Sequence, residues 1–416
     1  MAGRVRDWGE RALIALVLSA VLPLAYKWPL QWNGSTSSDA LSASRVNAVI
    51  PPALFGMTIN AIGQSQPKSQ PWPELKFDGV RLWGAIYWAQ INPAPGIYNW
   101  ARFDAILAAA EREHVEIVLN LAYTPRWAAS VKDAPPAFTP GASSPPADLA
   151  SWDDWVRAAV ARAAGRIKYW EIWNEPEDPK YYSGDIATMV QLQKRAYEII
   201  KASDPTLTVL TPPSNGTPDG YRWQQAFMAQ GGGQYADVFA FHGYTSEPEA
   251  VIGIIARFKK ILAAHDLSAR PIWDTEAGWS SYEDNPDGCL ARAYILKWIS
   301  GVDRFYWYEF AGGGSDFGKL WDPARGLLPS GIAYRTIQSW LVDASVVAAG
   351  RTSPSTWRVE LRMPDGRNGL ILWTTKGRSV YRVDPRFSLY QGLDGGEGPV
   401  ANGEVEISPK PVLLLE

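Results

Sequence analysis

One cysteine, Cys289, in 416 residues excludes an intramolecular disulfide, and three scattered histidines, His114, His242 and His265, give no ligand cluster of the kind that holds zinc. No metal is expected. Charge of one sign is also missing: 40 Lys and Arg against 43 Asp and Glu leave a net −3 with the signs interspersed. That excludes a basic field for nucleic acid and an acidic tail, and points to an uncharged partner. The motifs GxSxG, GxxxxGK[ST] and GxGxxG do not occur, so there is no nucleophile elbow, phosphate loop or dinucleotide fingerprint. The glycine runs at 231–233 and 312–314 read as turns. What the chain does have is 21 tryptophans and 18 tyrosines. Such rings bury large area, keep a polar tip, and offer flat faces that match the C–H faces of pyranose sugars.

The N-terminus differs from the rest. Arg4, Arg6 and Arg11 precede an uncharged run from Ala12 to Tyr26, which as a helix spans about 22 Å, short of a hydrocarbon core of about 30 Å. Lys27 can snorkel, and Trp28 and Trp32 can sit at an interface. Residues 1–30 therefore read as a signal peptide or a short signal anchor. Lys27, Trp28 and Pro29 occupy the place where a small-residue cleavage site belongs, which favours the anchor. With the arginines held in the cytoplasm, the bulk of the chain would face the periplasm or exterior, in contact with the membrane only through this segment. Residues 31–50 read as a linker, with the Gly/Ser/Thr-rich stretch NGSTSSDALSAS at its centre.

Beyond it, eight strand-like runs (LFGMTI, GVRLW, EIVLNLAY, KYWEIW, LTVLTP, DVFAFHGY, RPIWDTEAGW, RFYWYEF) alternate with amphipathic helical patterns. Eight βα units over residues 51–343 suit a (β/α)₈ TIM barrel; a doubly wound sheet is the competing α/β arrangement, but it would need the glycine turn that this chain lacks. After the third strand a Pro-rich, aperiodic segment, TPRWAASVKDAPPAFTPGASSPPAD, is far longer than a usual βα loop of about 2–6 residues and would shape a cleft. From Ala344 short alternating strands predict a small all-β domain over 344–416, a cap on the barrel or a carbohydrate-binding module.

The strand tips of a barrel converge on one mouth. In YWEIWNEPED, residues 169–178, the aromatic and β-branched residues before Asn174 make a buried strand, and Pro176 ends it. A period of two puts Tyr169, Glu171, Trp173 and Glu175 on one face. The other tips supply Arg81, His242 with Tyr244, Glu276 and Trp307. Two glutamates, Glu175 and Glu276, then face each other, and glycosidic cleavage needs such a pair: one protonated to give a proton to the leaving oxygen, one ionised to attack or to activate water. Arg81 and Tyr244 are placed to hold the ionised partner. The structural alternative is an ion pair at the mouth. Glu171 and Asp274, two residues deeper, are expected to neutralise a buried charge such as Arg81. Glu309 is open to either role, as substrate contact or salt bridge. The loop aromatics Trp127, Tyr181, Tyr182, Trp279 and Trp321 lie at the same end.

WNEP on the fourth strand and TEAGW on the seventh resemble the acid/base and nucleophile signatures of the clan of retaining glycoside hydrolases built on this barrel. The stretch PAPGIYNWARFDAILAAAEREHVEIVLNLAYTPRWAA further resembles glycoside hydrolase family 39 and its relatives that process bacterial exopolysaccharide, the Psl-type hydrolases. The likeness runs from about Phe55 to Trp340. It implies a retaining polysaccharide hydrolase without a cofactor, with Glu175 as acid/base and Glu276 as nucleophile. It further implies that Asn174 bonds the sugar's 2-hydroxyl, that Arg81 supports the nucleophile, that His242 and Tyr244 belong to the sixth-strand pattern, and that Trp307 is the sugar platform. Asp274 departs from the pattern, standing where an apolar residue is usual. A catalytically silent sugar-binding barrel serving polysaccharide export and a transglycosylase are the alternatives.

Overall fold

Nine parallel strands among the described residues follow from the buried apolar runs: β1 Phe55–Thr58, β2 Gly79–Arg81, β3 Glu116–Leu121, β4 Tyr169–Ile172, β5 Thr208–Leu210, β6 Ser214–Asn215, β7 Phe239–His242, β8 Ile272–Ala277 and β9 Arg304–Trp307. The computed structural model describes residues 42–416 apart from 61, 63–71, 135–137, 280–284 and 312–317. All described residues belong to one compact unit, Ser37–Glu416. The apolar run 12–26, read above as an anchor, lies outside them, and so does most of the linker. Among the described residues no helix is long and apolar enough to cross a membrane.

The strands curl in the order β5-β4-β3-β2-β1-β9-β8-β7-β6. β5 and β6 belong to one extended run interrupted at Pro212 and Pro213, which have no N–H to give to a ladder. The run pairs with β4 on one side and β7 on the other, and a parallel bridge between Leu210 and Val238 joins the two edges of the sheet. Strands buried on both faces need helices outside them. These are α1 Trp88–Ile91, α2 Ala101–Arg112, α3 Leu149–Ala163, α4 Ile186–Ser203, α5 Pro218–Ala229, α6 Val251–Ala263, α7 Pro286–Ile299 and α8 Pro329–Leu341. Polar N-caps start several of them: Asp148, Asp185, Thr217 and Asn285 each accept a backbone N–H of the first turn. The Pro-rich loop after β3 is folded on itself, with a bridge between Ala129 and Pro146 and a 2.7 Å bond between the Ser130 and Ser144 hydroxyls.

A hairpin, β10 Trp321–Asp322 and β11 Gly326–Leu327, precedes α8. The C-terminal strands are β12 Ser345–Arg351, β13 Thr356–Arg362, β14 Asn368–Thr374, β15 Ser379–Arg382, β16 Leu389–Gly392, β17 Glu397–Pro399, β18 Glu404–Ile407 and β19 Val412–Leu415. Six of them make an antiparallel sheet, β12-β13-β14-β19-β16-β17, and β15 pairs with β18. One face of the larger sheet, with Trp357, Val359, Ile371, Trp373 and Leu413, is continuous with the barrel's own core. The other face covers a separate cluster around Leu370, Leu372, Ile407 and Leu414. α7 is buried along its whole length, and Trp373 Nε1 donates to Glu249 at the head of α6. Upstream, Val49 bridges to Ser345, and Asn47 N donates to Val346 O at 2.8 Å.

Candidate active site

Arg81, the last residue of β2, is fully buried and makes three charge-assisted or polar bonds. Nε donates to Glu171 Oε2 at 2.7 Å, Nη1 to Glu276 Oε2 at 2.6 Å and Nη2 to Asn174 Oδ1 at 2.7 Å. A planar guanidinium fixes the directions of these acceptors, which an ammonium would not. Tyr244 donates its hydroxyl to Glu276 Oε1 at 2.8 Å, so both oxygens of Glu276 are held by donors. Glu175 is held on a different side: His242 Nδ1 lies 2.7 Å from its Oε1. His242 Nε2 is 4.0 Å from Glu276 Oε2 and has no hydrogen-bond partner among the described residues. Asn174 Nδ2 is likewise buried and unpartnered. Ligand atoms of Glu175, His242 and Glu276 lie within 4.8 Å of one another. These three could offer a cation one atom each, but Arg81 already occupies an oxygen of Glu276 and repels positive charge.

The local backbone explains how the side chains arrive. β4 ends at Ile172, and Trp173 and Glu175 have φ of 59° and 42°, in the left-handed region. This breaks the period of two. Asn174 follows Glu171 inward, whereas Trp173 turns away, packs on Trp152 and Tyr182, and donates Nε1 to Tyr181 O. The expectation that Trp173 shares a face with Glu171 and Glu175 is thus corrected. β8 carries a second irregularity. Phe241 is opposite Asp274, but His242 is opposite Glu276, so Thr275 is an extra residue, a β-bulge. Asp274 and Glu276 therefore do not share an inward face, and Asp274 pairs with Lys297 of α7 at 2.7 Å rather than with Arg81. Glu171 does neutralise Arg81, as expected.

Trp307 is also corrected. Tyr306 occupies the inward position on β9, in the cluster with Tyr169 and Trp273, so Trp307 points out of the barrel. It is completely buried, stacks on Trp279 with centroids 5.8 Å apart, and donates Nε1 to Gly318 O at 2.6 Å. It has no face to offer a sugar. Trp279 and Tyr182 are buried with it in the core, and Glu309 is buried too. Tyr181 instead joins an aromatic group that sequence reasoning did not assemble. Trp83 meets Tyr181, Tyr308 and Phe138, donates Nε1 to Tyr123 Oη at 2.8 Å, and is only half-buried. Phe138 comes from the Pro-rich loop and stacks on Tyr87. The signal for this group was present: Trp83 is two residues past Arg81 at the end of β2, and Tyr308 directly follows β9, two residues past Tyr306.

Electrostatics separate the two glutamates. Burial raises Glu175 to about 7, opposed by Asn215 and Arg81. Burial raises Glu276 as well, against the pull of Arg81 and Tyr244, whose donors on its two oxygens favour the ionised form. Burial drives His242 down to about 4, so its imidazole is neutral at neutral pH. Glu177, in the loop beyond β4, is raised to about 8 by burial and by Glu175, with Oε1 accepting the Asn215 N–H at 2.7 Å. The arrangement offers one carboxyl that carries a proton near neutrality and one carboxylate aligned by an arginine and a tyrosine.

The family model described as glycosyl hydrolase catalytic core matches residues 97–317. Among solved structures, a family 39 glycoside hydrolase from Bacteroides cellulosilyticus superimposes with a TM-score of 0.70 at 20% identity, over 92% of this chain and 82% of that one. A glucosidase from Croceicoccus marinus gives 0.65 at 15% identity, over 91% and 97%. A GH39 β-xylosidase from Caulobacter crescentus gives 0.64 at 19% identity, over 89% and 98%. At these identities the likeness concerns the fold. No curated protein matches the sequence.

Proposed function

This chain belongs to the glycosyl hydrolase catalytic core family and is a glycosidase, and from that premise we propose that it hydrolyses a polysaccharide with retention of configuration, using Glu276 as nucleophile and Glu175 as acid/base. One observation carries the reading: carboxylate atoms of Glu175 and Glu276 lie within 4.8 Å of each other. Retaining enzymes keep their carboxyl groups about 5–5.5 Å apart, whereas inverting ones need about 6.5–9.5 Å to admit a water between sugar and base. Donation from Arg81 and Tyr244 orients Glu276 for attack on the anomeric carbon while Glu175 protonates the leaving oxygen. Ester formation then removes the negative charge of Glu276. That lowers the pKa of Glu175, which takes a proton from the water that releases the sugar. The unpartnered Nδ2 of Asn174 is a donor available to a sugar hydroxyl. The rings of Trp83, Tyr181 and Tyr308, half-buried at the mouth, support a substrate of several sugars. An exopolysaccharide outside the membrane is the polymer that suits an anchor in residues 12–26.

The test is covalent trapping. Incubation with a panel of 2-deoxy-2-fluoroglycosyl fluorides (gluco, xylo, galacto and manno) should add one glycosyl mass per chain on Glu276, reactivated by an acceptor sugar. A label on Glu171, Asp274 or Glu309, or products of inverted configuration by NMR, would overturn the assignment.

A further inference from the structure

Asp274 and Lys297 are both fully buried, 2.7 Å apart, outside the mouth and untouched by the mechanism above. Asp274 sits at the foot of the β8 bulge. Its Oδ1 accepts the N–H of Gly243 at 3.1 Å, an N–H that also reaches the carbonyl oxygen of Glu276 at 3.3 Å. Gly243 lies between His242 and Tyr244, which touch Glu175 and Glu276 respectively. A Cβ at Gly243 would come within 2.1 Å of Asp274 Oδ2, so the absence of a side chain there lets the carboxylate reach the backbone. Lys297 Nζ, from α7, lies 3.2 Å from the centre of the Phe305 ring.

We propose that this ion pair is a positioning pair: Asp274 clamps the bulge that turns Glu276 into the mouth to the strand end that carries His242 and Tyr244, and Lys297 keeps Asp274 ionised for that task. Stability alone does not account for the pair. Burying two charges costs more than their attraction returns in many proteins, and apolar residues of similar volume replace such pairs without loss. What an apolar residue cannot do is accept the amide proton of Gly243, which Asp274 shares with the carbonyl oxygen of Glu276 and which thereby ties the bulge to the end of β7. Without that acceptor the bulge is free to shift, and a displacement of about 1 Å at a nucleophile costs up to about 100-fold in rate.

The proposal rests on Glu276 being the nucleophile, so wild type is first titrated with the fluoroglycosyl fluoride that labels it. Two double variants of the full chain follow, Asp274→Leu with Lys297→Met and Asp274→Asn with Lys297→Met. The asparagine carbonyl keeps an acceptor for the Gly243 amide. Both should reach one label per chain, with KM for an aryl glycoside within about twofold of wild type, but with slowed labelling and kcat: roughly 30–100-fold for the leucine form and about 3–10-fold for the asparagine form. Wild-type rates in both, equal losses in both, or losses that appear only as a smaller labelled fraction would make the pair merely structural. Should the leucine form not fold, the asparagine form decides alone, since labelling at the wild-type rate overturns the proposal. Failure of wild type to label on Glu276 would instead remove the reading on which it rests.

Discussion

Each end of the barrel holds an arginine between two carboxylates, and the two sites behave in opposite ways. At the N-terminal ends of the strands, Arg304 lies 2.7 Å from Glu116 and 3.6 Å from Asp78, with the rings of Tyr169 and Trp273 within 4.6 and 4.8 Å of its guanidinium. The rings plug that end. There burial pushes Glu116 up, but Arg304, Tyr169 and Lys168 together outweigh it and its pKa falls. At the C-terminal ends Arg81 is spent on Glu171, Glu276 and Asn174, and Glu175 is left outside its hydrogen-bonding reach. Burial wins at Glu175, which rises to about 7. The same residue types thus make a closed ion cluster at one end and a proton-exchanging pair at the other. Depth of burial and the reach of the guanidinium together decide which.

The comparison breaks most visibly by removing one group at each end. Glu175→Ala should lower turnover of glycosides with poor leaving groups by about 10³-fold, and of dinitrophenyl glycosides far less, with azide restoring the latter. Arg304→Met should leave turnover per labelled site unchanged and lower the melting temperature, because it strands two partly buried carboxylates. A comparable fall in turnover for Arg304→Met would mean that the lower cluster also shapes the mouth.

A neutral isostere at each end gives stability effects of opposite sign. Glu175 has a folded pKa above its unfolded value, so the native state binds more protons between pH 4.5 and about 7, and stability falls as pH rises through that window. Glu175→Gln should therefore match wild type near pH 4 and exceed it above pH 7, by on the order of 3 kcal/mol. Glu116 is depressed, so its stabilisation is present above its unfolded value of 4.5 and lost as pH falls through the folded one. Glu116→Gln should be less stable than wild type at pH 7 and converge with it in acid. Urea unfolding at pH 4, 5.5 and 8 measures both, and equal signs would dissolve the distinction.

The smallest effect concerns the rim. Trp83→Ala should raise KM for an oligosaccharide by about tenfold, the worth of one aromatic contact, while leaving a small aryl glycoside within about twofold. Equal changes on both would place Trp83 at the cleavage point instead of along a chain-binding surface.

Much of this site was legible in the sequence because strand tips can be counted. Arg81, Glu175, His242, Tyr244 and Glu276 follow from eight apolar runs and one rule about where they point. Two of the failures share a cause: the faces of Trp173 and Asp274 follow from extending a period of two beyond the point where the backbone stops obeying it. A left-handed residue at 173 and one extra residue at 275 reverse a face, and neither Trp173 nor Thr275 is a glycine or asparagine that would announce the change. For Trp307 the register was off by one, since Tyr306 takes the inward position. In the C-terminal domain the alternating runs STWRVELRM, NGLILWTT, RSVYRVD and PVLLLE read as strands and correspond to β13, β14, β15 and β19, whereas β12, β16, β17 and β18 are not legible as strands. β16 and β17 are short and largely uncovered, and β12, with the residues AAGR at its end, has little apolar alternation to detect.

The bridge from Val49 to Ser345 joins residues about 300 positions apart, on either side of all nine barrel strands. Closing a flexible loop of that length costs about 5 kcal/mol in entropy, but almost nothing once the strands between have already paired. The segment 47–50 therefore behaves as a latch that fastens late. It is engaged only after the chain has been made as far as β12, and it ties the entrance of the barrel to the sheet that is synthesised last. Cutting the chain between barrel and sheet would not free an intact catalytic unit: it would leave β1 without its tether and the indoles of Trp340, Trp357 and Trp373 without the cover they share.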